Sequence, residues 1–148
     1  MPIIDSAAAM RSFGANLAKQ LKAGDLIVLT GELGAGKTAL TQGIGEGLGI
    51  SGITSPTFVI SRVYQGPIPL VHVDAYRLIG KSKSGFEFDD LDLESDRTKA
   101  ITVIEWGGEL VERLGDEYLE IAIEFTENVD GRKLTLIPHG KRWAKLGI

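Results

Sequence analysis

The chain has 148 residues, 43% of them hydrophobic and 24% charged, with a formal net charge of −4. That length suits one domain around one core, here taken as 1–148, and the composition is ordinary for a folded protein, which argues against global disorder. The absence of cysteine excludes disulfides, zinc thiolates and thiol nucleophiles. An acidic balance is wrong for a chain that grips RNA phosphates by itself, so a nucleic-acid role is expected to run through a partner. No basic leader with an apolar core opens the sequence, and no apolar run approaches the roughly 18 residues of a membrane span. The expectation is a cytoplasmic protein with no membrane contact.

In chain order, Met10, Phe13, Leu17 and Leu21 fall on one helical stripe, so Ser6 to Leu21 is predicted as a helix that Asp5 or Ser6 can cap. Leu26 to Thr30 is a continuous apolar run of the kind buried on both faces of a sheet. Leu40, Ile44 and Leu48 then recur at helical spacing, and a second helix starts at Lys37. Gly43, Gly45 and Gly47 lie inside it, each costing about 1 kcal/mol against alanine. Gly43 and Gly47 share a face, which suggests close packing against a sheet, whereas Gly45 has no rationale in the sequence. Phe58 to Tyr64, Leu70 to Asp74 and Ile101 to Glu105 read as strands. Leu119, Ile121, Ile123 and Phe125 alternate with Tyr118, Glu120, Ala122 and Glu124 as in a half-exposed strand, and Asp130-Gly131 marks a hairpin into Leu134 to Ile137. Residues 81–97 are irregular, with six acids between Glu87 and Asp96, and read as a solvated loop. The basic end, His139 to Lys145, reads as a solvated terminus. The fold class expected is α/β: a P-loop NTPase three-layer sandwich with a mixed sheet and a late antiparallel strand pair.

The chemistry concentrates at Gly31-Glu32-Leu33-Gly34-Ala35-Gly36-Lys37-Thr38, a full match to G-x-x-x-x-G-K-[ST] between a buried strand and an amphipathic helix. Glycines let the backbone curl so that successive N–H groups point at phosphate oxygens, and the helix N-terminus adds partial positive charge. Lys37 can reach the β- and γ-phosphates, and the Thr38 hydroxyl can ligate magnesium. Asp74 and Glu105 each end an apolar strand, the edge where open α/β sheets collect ligands. Either could hold the metal through water or orient an attacking water. Thr57, in Thr54-Ser55-Pro56-Thr57, occupies the connection from which switch-type NTPases sense the γ-phosphate. Arg77 could neutralise phosphate charge or be a plain surface arginine. His72 reads as a hydrogen-bonded core histidine ahead of a catalytic one. No guanine-reading Asn-Lys-x-Asp segment occurs.

Four motifs in order, residues 31–38, Ser-Pro-Thr-Phe at 55–58, His-Val-Asp-Ala-Tyr-Arg-Leu at 72–78 and Ile-Glu-Trp at 104–106, resemble the TsaE (YjeE) family. These are bacterial ATPases of tRNA threonylcarbamoyladenosine synthesis. The resemblance implies ATP and Mg²⁺ as ligands and TsaB and TsaD as partners, with tRNA met only through that complex. It further implies that ATP hydrolysis resets the complex while it modifies tRNAs reading codons that begin with A. By the same resemblance Thr38 and Glu105 bind magnesium, Asp74 serves hydrolysis, and Ser6, with Asp5 as the alternative, and Arg132 lie near the nucleotide. The stretch after Leu78 departs from the family's helical, Glu- and Leu-rich pattern. A small-molecule P-loop kinase and a nucleotide-gated binding module are the competing classes. Phosphate release with and without an acceptor separates them.

Overall fold

The computed structural model of the chain describes residues 3–31, 35–50, 52–53, 61–74, 100–105, 117–127 and 131–144, with the side chains of 61, 62 and 74 outside that set. The elements are β1 (Ile3–Ile4), α1 (Ala7–Ala18), β2 (Leu26–Gly31), α2 (Lys37–Gly47), β3 (Ser61–Tyr64), β4 (Leu70–Asp74), β5 (Ile101–Glu105), β6 (Tyr118–Phe125) and β7 (Arg132–His139). A 3-10 turn at Lys141–Trp143 follows. All seven described strands form one sheet in the order β1-β7-β6-β2-β5-β4-β3. The β2 strand pairs in parallel with both β5 and β6, and β4 is parallel to β5. Pairing is antiparallel between β3 and β4, β6 and β7, and β1 and β7. This is the mixed α/β sheet with a late antiparallel pair that the sequence predicts.

The strands order themselves by burial. Leu26, Ile27, Val28 and Leu29 are at most 1% exposed, as an apolar run at the centre of a parallel sheet must be. One face of the sheet, carrying Ile27, Leu29, Val103, Leu119 and Ile121, joins the core cluster with Met10 and Leu17 of α1 and Leu40 and Ile44 of α2. On the other face Leu26, Val28, Val71, Val73 and Ile104 are buried as well. Burial on both faces is what a three-layer arrangement requires, and α1 and α2 supply one of the two covering layers. Ser6 caps α1, its hydroxyl accepting from the Ala9 amide at 3.0 Å. Leu21 lies beyond the helix, carried into the core by two turn hydrogen bonds, Gln20 N–H to the Leu17 carbonyl and Leu21 N–H to the Ala18 carbonyl.

The glycines of α2 have a different reason from the one expected. A β-carbon on Gly43 would lie 2.1 Å from the Arg11 carbonyl oxygen, and one on Gly47 would lie 2.6 Å from the Ala18 β-carbon. Both glycines therefore let α2 approach α1, and not the sheet. A β-carbon on Gly45, on another side of the helix, would meet Ile53 at 2.1 Å. The chain after α2 folds back there, tied by Gln42 Nε2–H to the Ile53 carbonyl at 2.9 Å.

The basic end is also different from the reading above. Trp143 is 2% exposed and belongs to the core. Arg142 donates from Nε and Nη2 to the two carboxylate oxygens of Asp25, at 3.0 and 2.8 Å, and from Nη2 to the Gln20 carbonyl at 2.7 Å. Asp25 is itself buried and also accepts from the Lys22 amide at 2.8 Å. A charge sequestered this way is stable only while its partner is present, so residues 141–144 are docked on the turn before β2. Lys145 lies outside the described residues.

Two stability predictions follow from these contacts. Gly43→Ala should lower unfolding free energy by about 1–3 kcal/mol through overpacking of α1 on α2, measured by urea denaturation. A loss under 0.5 kcal/mol would mean that the helices separate at no cost. Arg142→Ala should cost about 2 kcal/mol, the value of charge-assisted hydrogen bonds whose removal strands a buried carboxylate. An unchanged melting temperature would contradict the docking.

Candidate functional site

The site grows out of the junction of β2 and α2. Gly31 ends β2 and Gly36 stands at the N-cap of α2 with φ +113°, a left-handed conformation that side chains other than glycine's resist. Gly36 supplies no side-chain cap, and the first turn of α2 holds no acidic residue. The positive end of the helix dipole and its first backbone donors therefore meet no acidic side chain within the first turn of α2. Lys37 is the first residue of α2 and is 5% exposed. Its Nζ donates to the Gly31 carbonyl at 2.8 Å, so the ammonium bridges the mouth of the loop from helix to strand. Thr38 follows on the half-buried side of the same turn. One turn further, the buried Thr41 hydroxyl donates to the Lys37 carbonyl at 2.9 Å.

A second wall comes from the hairpin. Arg132, at the start of β7, donates from Nε to the Ala35 carbonyl at 3.0 Å and from Nη1 to the Gly131 carbonyl at 2.8 Å. Its guanidinium lies 4.5 Å from the centre of the Phe125 ring. Phe125, expected on the buried stripe of β6, is instead 46% exposed and serves as the floor under Arg132. Next to it an open cleft of about 420 Å³ is lined by Thr30, Gly31, Ala122, Ile123, Glu124 and Phe125.

The third wall is the carboxyl end of β4 and β5. Register places Glu105 beside Leu29 on β2 and beside Asp74 on β4. Glu105 is 6% exposed and its Oε2 is hydrogen-bonded to Nε2 of His72, which is fully buried. Among the described residues no cluster of three or more His, Cys, Asp or Glu stands ready to hold a metal by itself.

The structure thus brings Ala35, Gly36, Lys37, Thr38 and Arg132 to one loop, with Glu105 on β5 beside β2 and the backbone of Asp74 one strand further out on β4. Ser6 caps α1 with its hydroxyl, and one turn on, Met10 Cε lies 3.1 Å from where a β-carbon on Gly36 would be. Glu32, Leu33, Gly34, Thr57 and Arg77 lie outside the described residues. Sequence reasoning found no role for Phe125 beyond the core and no link between His72 and Glu105. The first has no local signal. The second depends on the β4–β5 register, which sets Asp74 beside Glu105 and is not written in the sequence.

A mixed sheet whose central parallel strand is followed, after a glycine-rich segment, by a helix that begins at its lysine is the architecture of the P-loop NTPases. The family described as "Threonylcarbamoyl adenosine biosynthesis protein TsaE" matches residues 4–134. The chain is 50% identical to the tRNA threonylcarbamoyladenosine biosynthesis protein TsaE of Streptomyces coelicolor, over 94% of this chain and 97% of that protein. It is 43% identical to the Mycobacterium tuberculosis protein of the same name, over 84% and 78%. It is 40% identical to that of Bacillus subtilis, over 84% and 77%. The crystal structure of YdiB from Bacillus subtilis superposes with a TM-score of 0.74 at 31% identity, covering 96% of this chain and 86% of that one. The chain belongs to the TsaE family.

The tie between Arg132 and the Ala35 carbonyl joins residues 97 apart, so it holds the loop from outside its own sequence. Arg132→Ala should weaken binding of a nucleoside triphosphate about tenfold, the worth of one charge-assisted hydrogen bond, with little change in melting temperature. Calorimetric titration checks this, and unaltered affinity would show that the loop holds its shape without the hairpin.

Proposed function

We propose that this chain is a magnesium-dependent ATPase in the biosynthesis of threonylcarbamoyladenosine in tRNA. We further propose that it acts with TsaB and TsaD and that hydrolysis resets their complex between turnovers. The observation that carries the reading is Lys37 at the head of α2, its ammonium on the Gly31 carbonyl and the uncapped helix start beside it. Family membership supplies the biological setting.

The donor set suits magnesium. Thr38 offers a hydroxyl and Glu105 a carboxylate, both hard oxygen donors, and a nucleotide-bound Mg²⁺ needs only one or two protein ligands besides phosphate and water. When bound, the ion draws charge from the phosphate oxygens as the leaving group departs.

The chain's own residues do the rest. The amides at the start of α2 and the Lys37 ammonium bind and orient the terminal phosphates. Water attacks the γ-phosphorus, the bond to the β–γ bridging oxygen breaks, and ADP and phosphate leave. By the family resemblance Asp74 is assigned the role of orienting that water and accepting its proton, and Thr57 is assigned the sensing of the γ-phosphate. Arg132 fixes Ala35 and so the rim of the loop. Adenine over guanine accords with the missing Asn-Lys-x-Asp segment and with the family.

Lys37→Ala should fold normally and lower ATP turnover at least about 100-fold, the usual cost of a lost transition-state donor. Phosphate release is measured without an acceptor, with and without TsaB–TsaD. The wild type should turn over slowly alone and faster with the pair. A folded Lys37→Ala with wild-type turnover would refute the site, and release only with a small-molecule acceptor would favour a kinase.

A further inference from the structure

The His72–Glu105 contact has no part in the mechanism above, although it binds the one strand-end carboxylate whose side chain is described. Three observations bear on it. In the β4–β5 register His72 lies beside Val103, so its ring leans forward by one pleat repeat, on one sheet face, to reach Glu105. The His72 side chain is 0% exposed, whereas that of Glu105 keeps 8% of its surface accessible. Nδ1 of His72 is buried with no hydrogen-bond partner among the described residues.

Together they define a direction. A carboxylate offers only acceptors, so the ring donates through Nε2–H to Oε2. A ligand arriving at the strand ends can touch the pair only through Glu105, because the imidazole is sealed. The ring directs Nε2 at the carboxylate, which is its described hydrogen-bond partner. Glu105 has three side-chain torsions, and one oxygen held by a fixed ring removes most of that freedom before a ligand binds.

We infer that His72 is a positioning residue: its Nε2–H holds Oε2 of Glu105 so that the carboxylate is preset to receive the divalent cation of a cation–nucleoside triphosphate complex. The inference rests on the reading of Glu105 as a cation ligand. It assigns His72 no contact with cation or nucleotide. Outer-shell partners of this kind typically change cation affinity by about 10–100-fold.

The test is a titration of MgCl₂ into protein and a fluorescent ATP analogue, reading the magnesium concentration for half-maximal binding, with no turnover involved. His72→Phe keeps a buried ring but removes the donor, and should raise that concentration about tenfold. His72→Gln returns an N–H near the Nε2 position and should stay within about threefold of wild type. Glu105→Gln should raise it on its own, and adding His72→Phe to Glu105→Gln should change it no further, because the two act through one oxygen.

Circular dichroism and melting temperature accompany each variant. If Glu105→Gln leaves the magnesium dependence unchanged, the cation-ligand reading fails and the inference with it. If Glu105→Gln shifts it and His72→Phe does not, only the inference fails. Should His72→Phe not fold, His72→Gln decides: a folded Gln variant with a tenfold shift overturns the proposal, and a near-wild-type value supports it.

Discussion

A buried ammonium must be held by acceptors, and in this chain the Lys37 ammonium rests on the last carbonyl of β2. Stranding such a charge would cost several kcal/mol, so the geometry around it is constrained. The carbonyl of Gly31 must face the helix start, which needs β2 to end beneath the first turn of α2. Gly31 sits close against β6, where a β-carbon would approach the Ile123 carbonyl oxygen to 2.7 Å. Gly36 must turn left-handed to let the chain enter the helix, and Met10 of α1 closes the space over it. The small-residue seam between α1 and α2 then brings the first helix close enough for Met10 to do so. Lysine, glycine turn, helix seam and central strand thus form one mechanical unit.

Around that unit the two edges of the site differ in character. The hairpin edge is built from a guanidinium on an exposed aromatic ring and one hydrogen bond to Ala35. It is accessible to water, so its electrostatics are screened and its role is to hold shape. The β4–β5 edge is nearly sealed, with Glu105 6% exposed beside a fully buried histidine. Charge there interacts in a lower effective dielectric, where a metal or a proton matters more. The fold thus separates the part that shapes the loop from the part suited to charge chemistry, on opposite sides of β2.

Much of this was legible in the sequence because it is local. The run from Leu26 to Thr30, the spacing of Gly31, Gly36, Lys37 and Thr38, and the alternation in β6 each state their structure within a dozen residues. Strand ends at Asp74 and Glu105 were readable from the apolar runs before them. What was not legible depends on partners distant in sequence. Gly45 is explained by Ile53 folding back onto α2, and Gly43 by the carbonyl of Arg11 in another helix. Arg142 and Trp143 looked like a solvated basic end because nothing nearby in sequence reveals Asp25, 117 residues earlier, as their anchor. The role of His72 required the β4–β5 register, which no periodicity encodes.

The central claim is that the β2–α2 junction is a triphosphate cradle, and the most direct check is an amide chemical-shift titration of ¹⁵N-labelled protein with MgATP. The account predicts the largest changes at the backbone amides of Ala35, Gly36, Lys37 and Thr38, with the Arg132 side chain moving alongside them. Largest changes instead at Arg11, Gln42, Glu46 and Ile50, which line a separate cleft beside α2, with the loop amides unmoved, would contradict it.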